Sequence, residues 1–146
     1  MVQVDFHFNA PEKWAYVGRL LRTISGQGKR TFVCGPQDAL ERLHQNLWQL
    51  NPSDFVTHCW ASDDAALVRH SSILLAKDWA ELVKSSPLDV GLNLHAEAPA
   101  NLGALSRLVE VVGPEESDKV SARMRWKHYA EKGFTINRFD LSAAAV

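Results

Sequence analysis

Hydrophobic and polar residues alternate at the start of the chain. Val2, Val4, Phe6 and Phe8 take one face, and Gln3, Asp5 and His7 the other. A period of two predicts a strand with one buried face. Asn9 ahead of Pro11 reads as a helix cap with proline at the first helical position. Trp14, Val17, Leu20, Leu21 and Ile24 then recur at helical spacing until Gly26 and Gly28 stop them. Thr31-Phe32-Val33-Cys34 is a short β-rich run closed by Gly35-Pro36, and a second helix is predicted from Pro36 to Leu50, with Leu40, Leu43, Leu47 and Leu50 along one side.

Asn51-Pro52-Ser53-Asp54 is a turn, Phe55 to Trp60 is ambiguous, and Ala61 to His70 is polar enough for a surface loop. Ser72 to Ala76, Leu88 to Leu94 and Leu108 to Val112 read as further strands. Gly113-Pro114-Glu115-Glu116-Ser117 opens the last helix, with proline and acids where the helix dipole favours them. That helix ends at Gly133, and Phe134 to Phe139 forms a final strand or extended tail. The order strand, helix, strand, helix predicts a parallel βαβ unit with right-handed crossover. The expectation is a single α/β domain over residues 1–146, its mainly parallel sheet doubly wound (Rossmann-like) with helices on both faces.

Composition excludes several classes. A chain of 146 residues that is 46% hydrophobic and 23% charged can bury a core and is not a disordered polymer. Its two cysteines, Cys34 and Cys59, cannot form a disulfide scaffold, which points to a reducing, cytoplasmic setting. There is no apolar run of about 18 residues to cross a bilayer. The first residues carry Asp5 where a signal peptide would carry lysines, so they read as mature sequence.

Catalytic motifs fail one by one. Gly26-Gln27-Gly28-Lys29-Arg30-Thr31 superficially resembles a phosphate loop, but Thr23 stands where its first glycine belongs and Arg30 where the metal-binding hydroxyl belongs. The loop also leaves a helix and enters a strand, so no helix N-terminus faces a phosphate. After the first strand, Asn9-Ala10-Pro11-Glu12 has no glycine to admit a pyrophosphate. His58-Cys59 and Cys34 lack the clustered spacing of a zinc site, and a cysteine closing a strand reads as a small core residue. The six histidines are scattered, and Asp63-Asp64 reads as a solvated turn. No catalytic residue, metal or cofactor is assigned.

Net charge is −1, which gives no global attraction to nucleic acid. Its distribution is uneven. Lys119, Arg123, Arg125, Lys127, Lys132 and Arg138 face a single acid, Glu131, in the segment they span, a local +5 that leaves −6 on the remainder. On the last helix Lys119, Arg123 and Lys127 fall within about 80° of one another, and Trp126 projects at the margin of that stripe. Three cations in line repel one another, so local helix stability does not call for them. Two readings stand here: a site for an anionic ligand with an apolar anchor, or a solvated face with Trp126 tucked into the core.

The run Lys119-x3-Arg123-x-Arg125-Trp126-Lys127-x-Tyr129-x3-Gly133-Phe134-x-Ile136-Asn137 resembles the C-terminal pattern of the chi subunits of bacterial DNA polymerase III, accessory proteins of the clamp loader. Leu47-Trp48 at the end of the second helix and Phe55-Val56-x-His58 also match. The resemblance implies a non-catalytic subunit that binds the acidic C-terminal tail of single-stranded-DNA-binding protein, a tail that ends in Pro-Phe with a free carboxylate. Carried over residue by residue, Lys119, Arg123 and Lys127 would take tail carboxylates while Trp126 and Val112 line the apolar contact. Arg138 stands where some relatives have a smaller polar residue, and would add a cation or block part of the pocket. Trp48 and Phe55 would meet a psi-type subunit of the clamp loader, with a helicase as a further candidate partner; the plain alternative is that they belong to the core. Two other functions remain in the comparison. A direct single-stranded nucleic-acid binder could use a basic stripe with an aromatic, and a small nucleotide-dependent enzyme would need a phosphate loop that is not found.

Overall fold

In the computed structural model, residues 2–48, 58–61, 63, 64, 68, 70–84, 88–99 and 105–141 are described. Their strands are β1 (Gln3–Phe8), β2 (Thr31–Cys34), β3 (His58–Trp60), β4 (Ile73–Ala76), β5 (Val90–Asn93), β6 (Arg107–Val111) and β7 (Thr135–Asp140). Helices α1 (Lys13–Gly26), α2 (Gln37–Trp48) and α3 (Glu116–Glu131) lie between them, with a 3-10 helix over Trp79–Lys84 that the hydrophobic pattern did not predict. The seven strands form one sheet in the order β3-β4-β2-β5-β6-β1-β7, every pairing parallel. The α/β, Rossmann-like expectation holds.

Two apolar clusters sandwich the sheet. Val17, Leu21 and Ile24 of α1 and Leu40, Leu43 and Leu47 of α2 join Val33, Leu75, Leu92 and Val109 of the strands. Ala122 and Tyr129 of α3 join the other side, with Val4, Phe6, Phe32, Leu74 and Leu108. Side chains alternate across each strand, so both faces of this parallel sheet need apolar cover. Cys34 and Cys59 lie buried in the α3-side cluster, and burial pushes the Cys34 thiol up to about 12, as suits small core residues. No helix among the described residues is long and apolar enough to cross a membrane.

β1 and β2 run parallel in one sheet, as expected, with β5 and β6 between them. Three expectations need correction. The polar face of β1 is not solvated: Asp5 is 3% exposed and His7 7%. Asp5 accepts hydrogen bonds from Arg107 (2.7 Å) and Asn137 (2.9 Å), and Tyr16 Oη lies 2.6 Å from His7 Nδ1. Asn9 is not the cap of α1, which begins at Lys13 behind Glu12; Asn9 instead adopts a left-handed φ of 61° and donates to Asp140 Oδ1 at 3.0 Å. The stretch read as a polar loop packs Ala61 and Val68 against the core, with Val68 and His70 helical, though Asp63 and Asp64 are exposed as expected.

Candidate peptide-binding groove

Helix α3 is built to show two chemistries on two sides. Glu116 and Asp118 sit in its first turn. Asp118 accepts the Gly113 N–H at 2.7 Å and the Lys13 ammonium at 2.9 Å, tying the start of α3 to α1. Burial pushes the Asp118 carboxyl up, but those donors outweigh it and hold it below its ordinary value. At the other end Gly133 takes a φ of 77°, a left-handed turn that glycine adopts without steric cost, and the Phe134 N–H reaches back to the Tyr129 carbonyl.

The inward side of α3 is Ala122, Arg125 and Tyr129. Arg125 is 4% exposed, and its Nε donates to Glu110 Oε1 at 3.0 Å. Tyr129 Oη donates to Glu110 Oε2 at 2.5 Å and Asn93 Nδ2 to the same oxygen at 3.1 Å. Arg125 Nη1 also reaches the Ala96 carbonyl. Burial pushes the Glu110 carboxyl up, opposed by Arg125 and by its other donors, and burial beside Glu110 keeps the Tyr129 phenol protonated. Two residues of the basic-aromatic pattern therefore serve the core.

The outward side closes a groove of about 590 Å3, lined by Phe6, Phe8, Asn9, Val112, Lys119, Ala122, Arg123, Trp126 and Arg138. Phe6 and Phe8 project from β1, and in register beside them β7 places Arg138 opposite Phe6 and Asp140 opposite Phe8. Trp126, half-buried, packs its ring 5.1 Å from that of Phe6. This site thus uses the indole both as a core contact and as a groove wall, combining the two sequence readings. The Arg138 guanidinium lies over the Trp126 ring at 5.2 Å and over Phe8 at 5.9 Å.

The cations are available. Lys119, Lys127 and Arg138 form no ion pair among the described residues, and Arg123 has only a loose contact with Glu116 at 3.6 Å, both side chains being at least 70% exposed. No carboxylate is among the described residues that line the groove. Of the residues expected there, Val112, Lys119, Arg123, Trp126 and Arg138 come together, while Lys127 stands exposed outside the lining. Sequence reasoning assigned no role here to Phe6, Phe8, Asn9 and Ala122; the alternation in β1 marked the two phenylalanines as one face, but nothing placed that face beside α3. α2 ends at Trp48, and Phe55 lies outside the described residues.

An apolar floor rimmed by cations can hold a short anionic chain that carries a hydrophobic side chain. Comparison with known proteins supplies a context. The sequence model of the family "DNA polymerase III chi subunit, HolC" matches residues 1–137. The chain is 24% identical to the DNA polymerase III subunit chi of Pseudomonas aeruginosa over 141 residues, covering 93% of this chain and 94% of the relative. It is 28% identical to the subunit of the same name from Escherichia coli over 111 residues, covering 75% and 73%.

Proposed function

The chain belongs to the family of DNA polymerase III chi subunits, and from that premise we propose that its groove binds the acidic C-terminal tail of single-stranded-DNA-binding protein. In this reading the protein is a non-catalytic adaptor that tethers the polymerase assembly, in the cytoplasm, to coated single strands. One observation carries the proposal: Lys119, Arg123 and Arg138 surround a floor of Phe6, Phe8, Val112 and Trp126 with no acid among the lining residues.

Magnitudes fit a working complex. Burying a phenylalanine-sized anchor contributes about 1.5–3 kcal/mol, and each exposed ion pair about 0.2–1 kcal/mol. After the cost of association, a dissociation constant in the range of about 1 μM is a sensible ceiling. Lys127, one helical turn beyond Arg123 and outside the lining, would act on acids upstream of the anchor only through screened, longer-range attraction. A psi-type subunit would dock elsewhere, around Trp48 and Phe55, and gel filtration of a Phe55→Ala variant with that subunit tests this part: a retained complex argues against it.

The main test is calorimetric titration with an aspartate-rich peptide ending in Pro-Phe. The reading expects binding without DNA, weakened by Arg123→Ala with the circular dichroism spectrum unchanged. Unaltered affinity in both Arg123→Ala and Lys119→Ala would remove the site. Displacement of the peptide by a bare single-stranded oligonucleotide would favour a direct nucleic-acid binder instead.

A further inference from the structure

The cations of the groove are not equivalent. Lys119 and Arg123 stand on α3 at the lip, Arg123 being 70% exposed and directed toward Glu116. Arg138 comes from the opposite side, from β7, and its guanidinium lies on the aromatic floor itself, 5.2 Å from the Trp126 centroid and 5.9 Å from that of Phe8. The acid two residues on, Asp140, accepts a hydrogen bond from Asn9.

A charge placed on an apolar floor restricts what can lie there. When an internal residue of a peptide fills such a floor, its Cα carries no charge, and the nearest carboxylates belong to neighbouring side chains. The last residue of a chain is different, because its carboxylate is bonded to the same Cα as the side chain. A cation beside the floor therefore matches a terminal residue better than an internal one. Guanidinium is suited to the task, since its parallel N–H groups can take both oxygens of a carboxylate while its flat face stays on an aromatic ring. Lying over two rings also restricts the side chain before the ligand arrives, which lowers the entropy lost on binding.

We infer that Arg138, held against Trp126 and Phe8, receives the terminal α-carboxylate of the bound peptide, leaving Lys119 and Arg123 to side-chain carboxylates further up the tail. This assignment rests on the tail-binding reading above and narrows it: the groove selects chain ends, and does so through the strand rather than through the helix.

The test compares an aspartate-rich Pro-Phe peptide as the free acid with the same peptide amidated at its C-terminus. Each is titrated into the full chain, Arg138→Met and Lys119→Ala, with circular dichroism to check the fold. Amidation is expected to weaken binding to the unaltered protein about tenfold, the loss of one charge-assisted bidentate contact. Arg138→Met should bind the free acid about as weakly as the unaltered protein binds the amide, with no further loss on amidation. Lys119→Ala should weaken both peptides by a similar factor and keep the amidation penalty. An undiminished amidation penalty in Arg138→Met would overturn the assignment, as would tighter binding by that variant, which would make Arg138 a plug. Failure of the unaltered protein to bind either peptide would remove the tail-binding reading, and this assignment with it.

Discussion

Arg125 donates to Glu110 across 3.0 Å with both side chains out of water, 4% and 0% exposed. The Glu110 carboxylate is the partner that balances the buried charge of Arg125. Glu110→Gln leaves the charge buried and uncompensated, at a cost of about 3–5 kcal/mol. In a chain of this size that lowers the melting temperature on the order of 10 °C. Tyr129→Phe, which removes a single donor from the same carboxylate, should cost far less. Thermal denaturation followed by circular dichroism separates the two; equal losses would contradict the pairing described.

Acid should unfold the protein in two stages. Burial holds His7 below its ordinary value of 6.5, and nearby Arg107 acts in the same direction while Asp5 opposes. A depressed imidazole stabilises the fold while it is neutral, so its contribution is complete above about pH 6.5 and is lost as pH falls through the depressed value. At Asp5 burial pushes the carboxyl up, but the bonds from Asn137, Arg107 and Gln3 outweigh it. Asp118 behaves alike, and the contributions of both are present above their ordinary value of 3.8 and lost as pH falls below it. Glu110 acts in the opposite sense: burial raises it above its ordinary value of 4.5, so its ionisation costs some stability, and that cost shrinks as pH falls. The expected profile of melting temperature declines below about pH 6.5 and again below about pH 4. His7→Gln should flatten the first decline and spare the second.

Lys119 and Lys127 lie on one stripe of α3, yet only Lys119 lines the groove. Lys119→Glu should weaken peptide binding about tenfold or more, whereas Lys127→Glu should change it less than about threefold at physiological salt, where exposed charges beyond the contact are screened. Comparable losses would move the site along the helix.

Two glycines should respond oppositely to alanine. Gly18 lies buried inside α1, and beyond its chain neighbours and its own helix backbone nothing stands within 4 Å of where a Cβ would go. Gly18→Ala should therefore stabilise by about 0.5–1 kcal/mol through a stiffer unfolded chain. A Cβ at Gly35 would come within 2.6 Å of Leu94 Cβ and 3.5 Å of its Cα, atoms that no rotamer change can remove. Gly35→Ala should cost about 1–3 kcal/mol. Urea denaturation of both variants reads the sign directly.

Most elements were legible because each carries its own period. The leucines of α2 and the run from Ile73 to Ala76 announce helix and strand without reference to anything else. Strand order was not legible: nothing in the composition of β1 or β2 records that β5 and β6 come between them. Asp5 and His7 misled for a related reason, because a polar side chain signals water unless its partners, here Arg107, Asn137 and Tyr16, are known to converge on it. On α3 the buried face is Ala122, Arg125 and Tyr129, too polar to give the helix a direction by hydrophobicity. The cationic half of the groove could be read from spacing alone, while its floor required β1, β6 and β7 to be laid side by side.

Among the described residues, strand β7 lies at the margin of the sheet and pairs with β1 alone. A chain severed after Lys132 would keep β1 to β6 and α1 to α3, yet Arg138 would be gone. The backbone of β1 that now bonds β7 would be left bare, a ready template for a second molecule. Clipping a dozen or so residues from the end would therefore take away one wall of the groove and leave a protein prone to stick to its own kind.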